Sequence, residues 1–356
     1  MTPQISLRYS QRERGVILIM ALLIVVLVTT VVVSVSWRFQ LSMLRNENRW
    51  HGAQARAYME GGEQLVRKIL YEDRLETGEI DHLGELWMQI SAQPMQTDEG
   101  WVGGSIEDGH GRFNLNLLFR EQPPMGANNP DRNKAPWELL NDNQRRFVRL
   151  LQTIELESGP VQYQQAMEII DAIQDWLDPD DQISGFGGAE ADFYRDQDPP
   201  IPIANGPMTS VSELSLIKGV TPEIYEYLLP LVIALPGGEL MNVNTLKPEL
   251  LPMLNRKSQT VPLTPDEVAL LEEERAQAIE GFRSVEEFFG GVNAQALLGD
   301  GTEREQELLG VGSRYFIFAA ETLTGQQIRR SKTLLFRGNI NGIDHVHVVR
   351  RTDANF

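Results

Sequence analysis

Residues 12–35, RERGVILIMALLIVVLVTTVVVSV, decide the fold. Charge ends at Arg14, glycine stands at 15, and Val16 to Val35 is a charge-free run of twenty residues. At about 1.5 Å per residue this crosses a hydrocarbon core of about 30 Å. A secretory signal carries its small-residue cleavage site behind the apolar core, whereas here the glycine stands in front of it. A cut between Gly15 and Val16 therefore leaves the apolar helix on the mature chain. Arg8, Arg12 and Arg14 hold the leader on the cytoplasmic side, and everything after Arg38 faces the other side. An ordinary single-pass anchor without processing satisfies the same length and hydropathy.

Outward from this stretch, Leu41 to Tyr71 contains no proline and places Ala53, Ala57, Gly61, Leu65 and Ile69 at a four-residue step. On a helix that step predicts one ridge, on a spine that continues unbroken from the membrane and packs its outer half on a sheet. Sheet material is expected at both ends of the remaining chain. Trp101 to Ile106, an Asp108-Gly109-His110-Gly111 turn and the alternating Phe113, Leu115 and Leu117 read as strand, turn, strand. Tyr315 to Thr322, a Thr324-Gly325 turn, Gln327 to Arg337 and Asp344 to Arg350 have the same texture, His345 and His347 sharing the face opposite Val346 and Val348. Roughly Phe119 to Gly312 is mostly helical and punctuated by proline. The economical topology is a helical insertion interrupting one small α+β domain.

Composition narrows the function. The chain has 356 residues and no cysteine, which removes disulfide frameworks and thiolate metal sites. The formal charge is −18, and residues 1–15 carry three Arg and one Glu, so the rest stands at −18 − 2 = −20, a poor field for nucleic acid. Within the helical part, Ser210-Val211-Ser212-Glu213-Leu214 followed by Lys218-Gly219-Val220-Thr221-Pro222-Glu223 reads as helix, glycine hairpin and capped helix. Ser284 to Phe288 repeats its first half, and Asn242-Val243-Asn244-Thr245 is expected to open another helix. Such modules resemble helix-hairpin-helix or sterile-alpha-motif units. With Glu213, Glu223 and Glu226 around a single Lys218, a structural or protein-docking use is the reading here.

Site chemistry concentrates between Asp175 and Asp198: eight carboxylates (Asp175, Asp178, Asp180, Asp181, Glu190, Asp192, Asp196, Asp198) against one base, Arg195. Pro179 and glycines 185, 187 and 188 make the segment a loop. Its residues fit either a solvated acidic loop or a Ca²⁺ site, since Ca²⁺ accepts 6 to 8 oxygens at about 2.3 to 2.6 Å without regular geometry. Gln182 and Ile183 stand where an EF-hand requires other residues. Catalytic readings lack support: the histidines are scattered, Gly185 to Gly188 follows no strand, and no aromatic sugar platform accompanies the acids.

Two resemblances follow. The leader, boundary glycine and continuous spine resemble type IV pilins and the pseudopilins of type II secretion. Over nearly the whole chain the order of features is similar to the K family of minor pseudopilins, carried by Gly15 before Val16, Gly111-Arg112-Phe113-Asn114-Leu115-Asn116, Asp175-Trp176-Leu177-Asp178, Gly188-Ala189-Glu190, Ser210 to Leu214, Lys218 to Pro222 and Asn242 to Thr245. Val16 replaces the usual first Phe or Met, and Met20 stands where most pilins have Glu, an absence that itself marks the K family.

The resemblance implies an α+β pilin-like fold, a long N-terminal helix on a small antiparallel sheet with a large helical domain inserted between strands. The implied divisions are 1–15, a leader cleaved by a prepilin peptidase with methylation of Val16; 16–37, membrane; 38–118, spine and first strands; 119–312, insertion; and 313–356, closing strands. It further implies calcium held among Asp175, Asp178, Asp180, Asp181, Glu190 and Asp192; the candidate assembly positions are Met20, which lacks the carboxylate, and Ala53, Ala57 and Gly61, whose small side chains allow close helix approach. Implied partners are minor pseudopilins of the I and J type, the inner-membrane assembly platform and membrane lipid, with no nucleic acid. The expected role is a non-enzymatic subunit at the pseudopilus tip, anchored in the inner membrane of a Gram-negative cell with a periplasmic head. A tip pilin or adhesin of a related pilus is the alternative, and a membrane-anchored hydrolase a third class.

Overall fold

The structure, a computed structural model, describes residues 11–89, 94–121, 134–340, 343–353 and 355–356; Arg8 and the first ten leader positions lie outside them. Helix α1, Gln11–Thr77, is continuous for 67 residues. No proline interrupts it, and its large apolar side chains from Val16 to Val35 are all exposed. Thr29 and Thr30 return their hydroxyls to the carbonyls of Val25 and Val26 at 2.8 Å, so the polar groups of the apolar half need no external partner. Gly78, with φ +80°, stops the helix by donating to Arg74 O at 3.2 Å.

The outer half of α1 buries Ala55, Val66, Ile69 and Leu70 against the sheet. Ala53, Ala57, Gly61 and Leu65 are exposed, whereas Ile69 is buried. The five do not form a single ridge, because a four-residue step turns about 40° at each repeat on a helix of 3.6 residues per turn. The drift carries Ile69 onto the sheet.

The sheet is antiparallel, in the order β1 (Met95–Thr97), β2 (Gly100–Asp108), β3 (Tyr315–Thr324), β4 (Gln327–Ile340), β5 (Ile343–Thr352). Period-two alternation gives it two apolar faces. Ile106, Phe316, Phe318, Ala320, Leu335 and Val346 meet α1. Tyr315, Ile317 and Leu334 meet Ile233 and Leu235 of the inserted domain, with Phe356 closing the layer. The sheet is thus the middle of three layers.

Between β2 and β3 the chain builds the inserted domain from α3 (Pro136–Leu139), α4 (Asp142–Gln152), α5 (Tyr163–Leu177), α6 (Ala191–Arg195), α7 (Pro222–Leu228), α8 (Pro265–Gln277), α9 (Val285–Gly290) and α10 (Val292–Leu298), with a short α2 (Leu86–Gln89) preceding the sheet. One hydrophobic core holds these inserted helices together, from Phe113 to Leu309.

The chain leaves the sheet at Asp108, not at 118. Phe113 and Asn114 pair in parallel with Val232 and Ile233, and Leu115–Leu118 is a 3₁₀ turn. The alternation reads as a half-exposed strand because Asn114 and Asn116 are polar, yet both are buried. Asn116 accepts from Met208 N at 2.8 Å and donates to Met208 O and Leu235 O at 2.9 and 2.7 Å, while Leu235 N donates to Asn114 Oδ1 at 3.0 Å. These amides replace backbone partners inside the domain.

The hairpin is present with a different first arm: Val211–Leu216 is 3₁₀, Gly219 has φ +87°, and Thr221 caps α7. Asn242 and Asn244 do not open a helix. Asn242 Nδ2 donates to Asp81 O, Asp108 Oδ2 and Ser313 Oγ, and Asn244 brackets Phe282 through its N–H and C=O. They brace the insertion against the strand ends. At this join Arg337, almost fully buried, donates to Asp73 Oδ2 at 2.7 Å and to Asp81 Oδ1, while Ser313 N donates to Asp81 Oδ2 at 2.7 Å.

Candidate functional site

Helix α5 places Asp171, Asp175 and Asp178 on one face through spacings of four and three residues, Asp178 being the cap that ends it. The chain then turns through Pro179 to Gly188 and comes back, so that Glu190 at the start of α6 meets the end of α5. Ser184 N donates to Asp175 Oδ1 at 2.9 Å, and Phe186 N and Gly187 N donate to Asp171 Oδ2 at 3.0 and 3.1 Å. A side chain at 187 would stand 2.2 Å from Glu168 Cα, so only glycine lets the loop lie this close to α5.

Carboxylate oxygens of Asp178, Asp180 and Glu190 lie within 4.8 Å of one another. Glu190 is 6% exposed, and neither of its oxygens has a hydrogen-bond partner among the described residues; Asp178 Oδ1 is likewise buried without one. Burial pushes the Glu190 carboxyl up to about 7, with Asp175, Asp178, Asp181 and Asp180 adding repulsion. Burial also raises Asp178 and Asp175. Charges withdrawn from water without partners are costly, and a cation bound by oxygens removes that cost. These residues fit a hard cation such as Ca²⁺: Asp178, Asp180 and Glu190 would hold it, with Asp175 near enough to repel Glu190 and Asp178.

The other sequence candidates lie elsewhere. Asp181 is exposed and outside the group of three, though near enough to repel Glu190. Asp192, with a side chain 90% exposed, pairs with Arg195 at 2.8 Å. Asp196 and Asp198 are exposed. Lys218, the base of the hairpin, donates to Gly188 O at 3.1 Å and lies 5.3 Å over the Phe193 ring, which ties hairpin to loop. Asp171, which clamps the loop, is missing from the sequence candidates because it lies before the acid-rich run. Its helical phase with Asp175 and Asp178 is the signal that identifies it.

A second acidic group, Asp73, Asp81 and Glu85, already has Arg337 between its two aspartates. Along α1, Gly15 has open space around its Cα, Val16 and Met20 are exposed, and Ala53, Ala57 and Gly61 line the face turned away from the sheet. In the described part of α1 one apolar stretch is long enough to cross a membrane.

Against known proteins, the family model for type II secretion system (T2SS), protein K, matches residues 111–237. Type II secretion system protein K of Pseudomonas aeruginosa is 32% identical over 92% of this chain and 89% of that protein. Its counterpart in Aeromonas hydrophila is 34% identical over 67% of this chain and 69% of that protein. Among solved structures, a chain in the crystal structure of the GspK-GspI-GspJ complex from the enterotoxigenic Escherichia coli type 2 secretion system shares the fold. Its TM-score is 0.66 at 21% identity, covering 86% of this chain and 98% of that one.

Proposed function

Since this chain belongs to the type II secretion system protein K family, a family of minor pseudopilins, we propose that it occupies the pseudopilus tip and helps to initiate the fibre that moves folded proteins across the outer membrane. The observation that carries the tip reading is the inserted domain itself. It covers the sheet face opposite α1, and a bulk of that size repeated on every subunit crowds a helical lattice.

Met20 supports the same place. A carboxylate inside lipid is tolerated only with a partner charge, and a neighbour's terminal ammonium provides one where pilins carry Glu. Val16 to Val35 contains no carboxylate, so this subunit has no use for a predecessor. Cleavage after Gly15 by a prepilin peptidase, methylation of Val16, anchoring in the inner membrane and a periplasmic head complete the reading. Its partners are minor pseudopilins like the I and J chains found with the solved K chain, together with membrane lipid and the assembly platform. Calcium at Asp178, Asp180 and Glu190 has a structural role, ordering the loop.

Labelling the chain in native fibres tests the tip reading, with one label at an end expected. Label along the full length, or long filaments made of this chain alone, overturns it. Mass spectrometry of the mature protein checks processing; an intact Met1 or a cut behind the apolar run defeats the cleavage step.

A further inference from the structure

The same loop displays an aromatic ring that the cation site does not use. Phe186 is 91% exposed, the most exposed large apolar side chain among the described residues. Its backbone is firmly held: Asp171 takes the N–H groups of residues 186 and 187, and Gly187 lies against Glu168. Gly185, with φ +53°, sits where a side chain would come within 2.0 Å of Asp171 Oδ2.

A mobile loop exposes apolar side chains by default, but this one holds a Phe in water on a built support. An anchor held in its bound position loses little freedom on binding, the property shared by interface hot spots. Ile183 and Phe193, 60% and 37% exposed, are further apolar side chains of the same segment. Exposed carboxylates remain at Glu168, whose backbone lies against Gly187, and at Asp181 of the same loop, while Asp180 belongs to the cation site and Asp192 to Arg195. The nearby cations are engaged, Lys218 with Gly188 O and Arg195 with Asp192. An acidic rim about an apolar anchor repels anionic surfaces and selects a complementary cationic one.

We propose that Phe186 is the anchor with which the inserted domain grips a folded protein that offers an apolar pocket rimmed by Lys and Arg. The partner lies outside the spine contacts, because the domain packs on the sheet face away from α1. Glu168 and its neighbours set orientation and salt sensitivity, and Phe186 supplies most of the affinity.

The test uses the full chain in the secreting cell and so rests on the secretion reading. Phe186 is replaced by photoreactive benzoylphenylalanine, irradiated, and the adduct mapped. Expected are adducts on one protein at a pocket flanked by Lys or Arg, with yield reduced by high salt and by Glu168→Lys. Phe186→Ala, whose side chain touches little of the fold, should leave abundance and melting unchanged and lower export about tenfold, as loss of one anchor of average strength does. Undiminished export in Phe186→Ala overturns the proposal. So do adducts on lipid, on a second copy of this chain, or on a surface without basic residues. A strain lacking the chain separates the two readings: if it still exports, the pseudopilin reading fails, and the cross-link still decides the fate of the anchor.

Discussion

Among the described residues neither oxygen of Glu190 has a partner, at 6% exposure beside Asp178 and Asp180, so a proton or a cation is the natural relief of its charge. With Ca²⁺ at a hundred times its Kd, linkage gives about 2.7 kcal/mol of added stability. The full chain in detergent should therefore melt higher in calcium than in chelator. Glu190→Gln should abolish most of that difference and Asp192→Asn should not, because Asp192 faces solvent and Arg195. Equal melting curves in calcium and chelator would leave a solvated loop as the better description. The acidity of this segment is plain in the sequence, but which three of eight carboxylates converge is not. Their meeting depends on a reversal around glycines 185, 187 and 188 that brings residue 190 back to residue 178, and no local pattern encodes that distance.

At the level of elements, the join between α1, the sheet and the insertion rests on Arg337 of β4. Its guanidinium bridges Asp73 at the end of α1 and Asp81 in the segment that follows. Arg337→Met should destabilise the head by about 3 to 5 kcal/mol, the usual cost of leaving buried charges without their partner. Burial pushes Asp81 up to about 7 and Asp73 to about 6, both above the ordinary carboxylate range, against the attraction of Arg337. Groups raised in the folded state bind protons more tightly there, so ionising them as pH rises from about 4 to 7 opposes folding. Without Arg337 the main lowering influence on both carboxyls is lost, and the penalty should be smaller at pH 5 than at pH 7.5. Denaturant titrations of both proteins at the two pH values check this; a pH-independent penalty would show that lost packing, not charge, is the cause. Strands β3 to β5 were legible because alternation and the Gly325 turn are local signals. The segment from Phe113 to Leu117 misleads for an equally physical reason: buried Asn114 and Asn116 look like a solvent face until the carbonyls of Met208 and Leu235 are brought beside them.

For the whole molecule, α1 presents one face to its own sheet and leaves the face of Ala53, Ala57 and Gly61 open. Small residues there permit close approach of another helix. Ala57→Leu should leave the head folded, since its added atoms point away from the sheet, and should weaken association with minor pseudopilins in co-purification; unchanged association would move the contact off this face. The sequence by itself determined the apolar N-terminal helix, the unbroken spine, the strands at both ends with helices between, and the family. All of these are read from period, proline-free length and residue order, which act within a few turns of chain. Only the tertiary structure decided that the sheet is covered on both faces, that α1 turns its small residues outward, and that Asp178, Asp180 and Glu190 meet while Asp192 does not. Those outcomes depend on buried partners drawn from distant parts of the chain: Arg337 with Asp81, Asn116 with Met208, and Ile233 with Tyr315. A single sequence carries no local signal for such pairs, because their energy exists only once both partners leave water together.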